Sequence, residues 1–262
     1  MIRTVHTTRY VTPLREGGSL PAIVEADDDG LYVLKFRGAG QGPKALIAEL
    51  VAGELGRALG LPVPEIVFIH LDPAFGRAEP DPDISDLLAA SAGLNLALDY
   101  LPGALPFQPL AAPSLEPALA AAIVWFDAFV SNMDRTPKNT NLLLWHGRPW
   151  LIDHGAALYV HHAWSEETDP IPDALDRFPL IKQHVLLPFA GDIAAADAAL
   201  SPLLTPDRIA EIVAAIPDEW LLEQEPDANP GARRAAYVAY LNRRLASPRG
   251  FVEEAIDARA RR

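Results

Sequence analysis

The chain has 262 residues, no cysteine, and 35 acidic against 22 basic side chains, a formal net charge of −13. That length supports a sizeable core in one large domain or two small lobes. The missing thiols exclude disulfides, zinc–thiolate sites and cysteine nucleophiles, and the acidic balance disfavours a nucleic-acid partner, whose phosphates reward basic charge. Met1 to His6 has no apolar stretch behind a basic start, unlike a secretory signal. The most apolar run, Ala118 to Phe126, stops at Asp127, far short of the roughly 20 residues of a membrane helix. The expected setting is cytoplasmic, away from membrane.

In chain order, Thr8 to Leu14 and Pro21 to Ala26 read as strands, separated by Gly17-Gly18-Ser19. Asp28-Asp29-Gly30 is a hairpin turn leading into a third strand, Leu31 to Phe36, and a flexible Gly38 to Gly42 follows. Pro43 to Leu59 is helical by pattern, with Pro43 suited to the first turn and Gly60 to the C-terminal cap. Glu65 to Leu71 reads as a buried strand, the Asp- and Pro-rich residues 72–92 as a surface excursion, and Leu94 to Leu101 as a further strand ending at Pro102-Gly103. Beyond that joint, Leu115 to Val130, Ile193 to Leu200, Pro206 to Ala215 and Gly231 to Leu245 carry helical periodicity, with a β-like insert at 141–159. Strands first and helices second predict an α+β fold in two lobes: a strand-rich N-terminal lobe with one helix, 1–101, and a mainly helical lobe, 102–262. The cleft between them is the natural ligand site.

The densest chemistry lies in Ser131 to Leu142, between an apolar helix and an apolar strand. Asp134 and Asn139 stand in an Asp-x4-Asn spacing. The strand Leu142 to Trp145 turns at His146-Gly147-Arg148-Pro149 and returns as Trp150-Leu151-Ile152 to deliver Asp153-His154-Gly155. A hairpin of that length brings Asp153 back beside Asn139. Two carboxylates and an amide meeting there are what phosphoryl transfer needs: one carboxylate for the attacking hydroxyl, the other with the amide oxygen for a metal on the phosphates.

Alternation puts Lys35 on the face of Leu31 and Val33. Glu49 has helical neighbours Ala45, Leu46, Ala52 and Gly53, a small apolar face where a lone carboxylate is costly, so it calls for a buried cation, and Lys35 is the candidate. Glu54 instead neighbours Arg57 as an ordinary surface pair. Gly17, Gly18 and Ser19, or else Gly38 to Gly42, can bring backbone N–H groups to a phosphate. His146, His154, His161 and His162 match no zincin spacing and read as loop histidines.

Asn132-Met133-Asp134-Arg135-Thr136-Pro137-Lys138-Asn139 resembles the catalytic loop of HipA-like kinases, and Asp153-His154-Gly155 resembles their metal motif. Leu34-Lys35-Phe36, Glu49 and Leu59 to Pro64 are similar to the family's ATP-lobe lysine, glutamate and helix exit. Asp99-Tyr100-Leu101-Pro102-Gly103 is similar to the hinge whose backbone meets adenine. The resemblance implies a protein-kinase-like fold, ATP and Mg²⁺, and serine/threonine kinase activity on a hydroxyl acceptor that the sequence does not name. It implies Asp134, Lys138 and Asn132 as catalytic residues and Asn139 and Asp153 as metal ligands. Lys35, Glu49, Gly17, Gly18, Ser19, Asp99, Tyr100 and Leu101 would serve the nucleotide. A nucleotide-binding pseudokinase and a small-molecule phosphotransferase of the aminoglycoside type are the alternatives, although the latter usually place His-Gly where this chain has Asn132-Met133.

Overall fold

A computed structural model describes residues 2–14, 20–109, 115–165, 167–223 and 226–261. Five strands form a closed barrel in the order β1-β2-β3-β5-β4: β1 (Thr4–Pro13), β2 (Ala22–Ala26), β3 (Leu31–Lys35), β4 (Ile66–Leu71) and β5 (Gly93–Asp99). Neighbours pair antiparallel except β1 and β4, whose parallel pairing closes the ring and leaves no free edge. Strand alternation sorts the side chains. Val24, Leu34, Val67, Ile69 and Ala97 fill the barrel, whereas Ile66, Leu96 and Leu98 point into a second, larger core.

That larger core surrounds helix α1 (Pro43–Ala58), which is buried on nearly every side from Leu46 to Gly56. A helix with so little polar face must lie between two packed bodies. Gly53 permits this, since a Cβ there would sit 2.4 Å from Ile66 Cδ1. The same core takes in α4 (Pro117–Phe129) and the helices that follow, so it is continuous across residue 101.

The expectation of one helix among the first hundred residues is corrected to three among the described residues. Residues 72–92 hold α2 (Ala74–Ala78) and α3 (Pro82–Ala90). The Asp and Pro residues that suggest a loop are here helix-start residues: Asp81 Oδ1 accepts from Asp83 N, and Pro82 takes the first turn. Ile84 and Leu88 of α3 are buried in the barrel's own core.

After residue 101 come the short β6 (Leu105–Pro106) and the hairpin β7 (Leu142–Trp145) and β8 (Arg148–Leu151), which form a three-stranded sheet. His146 and Gly147 turn the hairpin with positive φ at both positions. Helices α5 (Ile171–Ala174), α6 (Ile193–Leu200), α7 (Pro206–Ala214), α8 (Asp218–Leu222), α9 (Pro230–Leu245) and α10 (Gly250–Ala260) complete the chain. From α9, buried Arg244 donates to the Ala128 and Phe129 carbonyls at 2.7 Å, capping the C-terminal end of α4 where a cation is favoured. Among the described residues no helix is long and apolar enough to cross a membrane.

Candidate active site

Between the barrel and the helical half lies a cavity of about 1200 Å³. Lys35, Glu49, Asp99, Tyr100, Leu101, Asp134, Asn139 and Asp153 all line it. Gly40 and Gln41 line it too, in a loop held by Gly38 N donating to Ser91 Oγ and Arg37 N donating to Asn95 Oδ1. Thr12, Leu14 and Pro21 also line it, while Gly17, Gly18 and Ser19 between them lie outside the described residues. Asn132 sits behind the cavity, and Lys138 is exposed and not among its lining residues.

Lys35 ends β3 on the outward face with Val33, as the alternation predicts. Its Nζ lies 2.6 Å from Asp153 Oδ1 and 3.6 Å from Glu49 Oε2. The expected partner is therefore the longer contact, and the metal-motif carboxylate is the closer one. Glu49 is buried, and its second oxygen meets His154 Nδ1 at 3.3 Å. Burial pushes the Glu49 carboxyl up, but the Lys35 ammonium and the His154 contact outweigh it and hold the group at about 2. Burial likewise pulls Lys35 down, and Glu49 with Asp153 more than restores it, so its pKa is raised.

These shifts fix a pH window. A depressed carboxylate contributes stability that is complete above its unfolded pKa near 4 and is lost as pH falls through the folded value. A raised lysine contributes stability below its unfolded pKa of about 10.4 that is lost as pH rises through the folded one. The pair is thus intact from roughly pH 5 to 10. Thermal unfolding from pH 6 down to pH 2 should show a shallower acid-side fall in Glu49→Gln than in wild type. Identical slopes would remove Glu49 from the acid transition.

The loop after α4 is built on a buried ionic knot. Asp127 and Arg135 are both fully buried, with Arg135 Nε 2.6 Å from Asp127 Oδ2. His184 Nε2 lies 2.9 Å from the same oxygen, and Leu186 N donates to His184 Nδ1, which puts the ring proton on Nε2, facing Asp127. Asp127 Oδ1 accepts from Asn132 Nδ2 at 3.0 Å, and Asn132 Oδ1 accepts from Asp134 N at 3.1 Å. Arg135 Nη1 also donates to the carbonyls of Asn141 and Ile152, gripping both ends of the β7–β8 hairpin. Burial pushes Asp127 up, yet Arg135 and His184 hold it far below the usual carboxylate range.

Asp134 Oδ2 accepts two amide donors, Asn139 Nδ2 at 2.7 Å and Asn141 Nδ2 at 3.3 Å. Asn132 and Asn141 thus both orient Asp134. Asp153 itself has φ +57°, a left-handed backbone that Asp adopts more readily than most side chains, and its side chain is 40% exposed. His154 does lie on a loop, as read, and His161 lies in a single 3₁₀ turn, Tyr159–Ala163, but neither is a surface residue. Both are fully buried, His154 against Glu49 and His161 with Nδ1 2.9 Å from Tyr237 Oη. Sequence reasoning also passed over Asp127, Arg135 and His184 as a unit.

No curated protein matches the chain by sequence. Among solved structures it is similar to a Helicobacter pylori proinflammatory kinase, CtkA, with a TM-score of 0.60 and 13% identity over 97% of this chain and 96% of that one. It is also similar to the Golgi casein kinase solved with Mn/ADP bound, with a TM-score of 0.51 and 13% identity over 98% of this chain and 73% of that one. At such identities the likeness speaks to fold, and the fold is of the protein-kinase type. The family model described as HipA-like kinase matches residues 8–170, well over half the chain and all of the segment from Lys35 to Asp153, so the chain belongs to the HipA-like kinase family.

Proposed function

We propose that the chain is an ATP- and Mg²⁺-dependent phosphotransferase, moving the γ-phosphoryl group of ATP to a hydroxyl acceptor in the manner of a serine/threonine kinase. One observation carries this reading: Lys35 from β3, Asp134 and Asn139 from the loop after α4, and Asp153 from the loop after β8 line a single cavity large enough for a nucleotide. The Mn/ADP named for the Golgi casein kinase is in keeping with it. In this reading residues 1–101 are the nucleotide-binding lobe and 102–262 the catalytic lobe. Adenine lies against the backbone of Asp99 to Leu101, and Lys35, held by Glu49, meets the α- and β-phosphates.

The donor set fits a hard cation. Asp153 Oδ2 and Asn139 Oδ1 are oxygen donors left over after Lys35 takes Asp153 Oδ1 and Asp134 takes Asn139 Nδ2. Two protein oxygens are enough for Mg²⁺, which keeps waters and substrate phosphates in its shell. Asn139 and Asp153 would hold the ion, which when bound supplies charge neutralisation on the phosphates. With Oδ2 of Asp134 occupied by two amides, Oδ1 is the oxygen that orients the acceptor hydroxyl and takes its proton. Exposed Lys138 would offset charge on the transferring phosphoryl group, and Gly17, Gly18 and Ser19 would bring backbone N–H groups to a phosphate.

Thermal unfolding with Mg-ATP, ATP with chelator, and Mg²⁺ alone tests the nucleotide site. Mg-ATP at about 100 times its dissociation constant should stabilise the protein by roughly 2.7 kcal/mol, with the shift much reduced by chelator and by Lys35→Met. No shift with Mg-ATP sinks the reading.

A further inference from the structure

Resting on that reading, we propose that His154 is a positioning residue: it anchors Glu49, and through Glu49 the phosphate-binding Lys35, to the backbone that carries Asp153. The contacts form a closed ring. Lys35 Nζ meets Asp153 Oδ1, the chain passes to His154, His154 Nδ1 meets Glu49 Oε1, and Glu49 Oε2 returns to Lys35. Three elements apart in sequence, β3, α1 and the loop after β8, are thereby held in one arrangement.

The ring matters because the Lys35 contacts are unequal. Its short bond, 2.6 Å, is to Asp153, whereas Glu49 lies 3.6 Å away. A metal ion held by Asp153 Oδ2 would share that carboxylate's charge with the lysine, so Glu49 would carry more of the Lys35 pairing and must not rotate. On α1 it is surrounded by apolar and small residues, none of which can fix a carboxylate. His154 can. A carboxylate only accepts hydrogen bonds, so the contact requires the proton on Nδ1.

The rest of the ring's environment argues that the imidazole is kept for this bond. His154 is fully buried, its ring stands edge-on to Phe126 of α4 at 5.9 Å, and Nε2 has no protein partner. A phenyl ring would suit such packing without leaving a buried nitrogen unsatisfied. The Glu49 contact fixes the proton on Nδ1, whatever Nε2 carries. Its carbonyl accepts from Ala157 N at 2.8 Å, so the backbone that His154 anchors is a tight turn beginning at the left-handed Asp153.

The test compares wild type, His154→Phe and His154→Asn by thermal unfolding, Mg-ATP affinity and ATP turnover, with ¹⁵N-edited imidazole spectra of wild type. Phe keeps the packing and loses the donor; Asn keeps an N–H near the Nδ1 position and loses packing. The expected result is that His154→Phe unfolds near the wild-type temperature but turns over roughly tenfold more slowly, while His154→Asn unfolds earlier yet retains most of the turnover. Wild type should show the Nδ1-protonated tautomer. Turnover that follows unfolding temperature, with Phe active and Asn impaired, overturns the proposal, as does an Nε2-protonated tautomer. A wild-type protein with the Nδ1 proton but no ATP turnover refutes the phosphotransfer reading and leaves the anchoring of Glu49 standing.

Discussion

Asp134→Asn is expected to lower phosphoryl transfer by roughly 10²–10⁴-fold while leaving Mg-ATP affinity unchanged, because it removes a general base without removing a nucleotide contact. The replacement is nearly isosteric, and the geometry dictates how it will sit. The Oδ2 position faces the amide donors of Asn139 and Asn141, so the new side chain must turn its own oxygen there. Its NH₂ then takes the place assigned to the acceptor hydroxyl, where it can donate but cannot accept a proton. Asp134 N still donates to Asn132, so the loop keeps its shape. The measurement is ATP turnover and phosphate transfer alongside calorimetric binding of Mg-ATP. Equal turnover in both proteins removes Asp134 from the chemistry. Nucleotide binding in both with turnover in neither makes the chain a nucleotide-binding pseudokinase.

How much of this was legible beforehand follows from which signals are local. Lys35 and Glu49 could be paired from sequence because each sits in a periodic element. Strand alternation gives one its face, and the helical neighbours of the other are small and apolar. The β7–β8 hairpin was legible from the apolar runs on either side of residues 146–149, although the turn is only His146 and Gly147, and Arg148 and Pro149 already belong to β8. The same reasoning, applied to Asp127, would have marked a second buried acid, since its helical neighbours Ile123, Val124 and Val130 are all apolar. Its partners could not have been named. Arg135 lies on an aperiodic loop and His184 on another, 57 residues from Asp127, with no spacing to link them. His154 failed for a related reason: a loop residue carries no face, and only the approach of α1 buries it. Helices α2 and α3 were lost because Asp and Pro mark both the end of one element and the start of the next.

The largest stability effect should come from Arg135→Met, which removes the cation from a fully buried pair and leaves Asp127 without its main counter-charge. Breaking such a pair costs about 3–5 kcal/mol, a large share of a typical total of about 5–15 kcal/mol. At roughly 2–4 °C per kcal/mol for a chain of this size, the unfolding temperature should fall on the order of 10 °C. With Arg135 gone, burial prevails at Asp127 and its pKa climbs, so the variant should recover part of its loss as pH is lowered toward 5 while wild type does not. Adding Asp127→Leu should restore only part of the stability. The carbonyls of Asn141 and Ile152 would still lack their donor, and the donors of Asn132 and His184 their acceptor. The two substitutions should therefore be non-additive by about 0.5–3 kcal/mol in a double-mutant cycle. Arg135 also holds both mouths of the hairpin, and Asp127 orients Asn132 beneath Asp134, so phosphate transfer should fall in Arg135→Met even at temperatures where it is folded. An unfolding temperature within about 2 °C of wild type would mean that the loop keeps its shape without the knot, and that the alignment of Asp134 with Asp153 has some other origin.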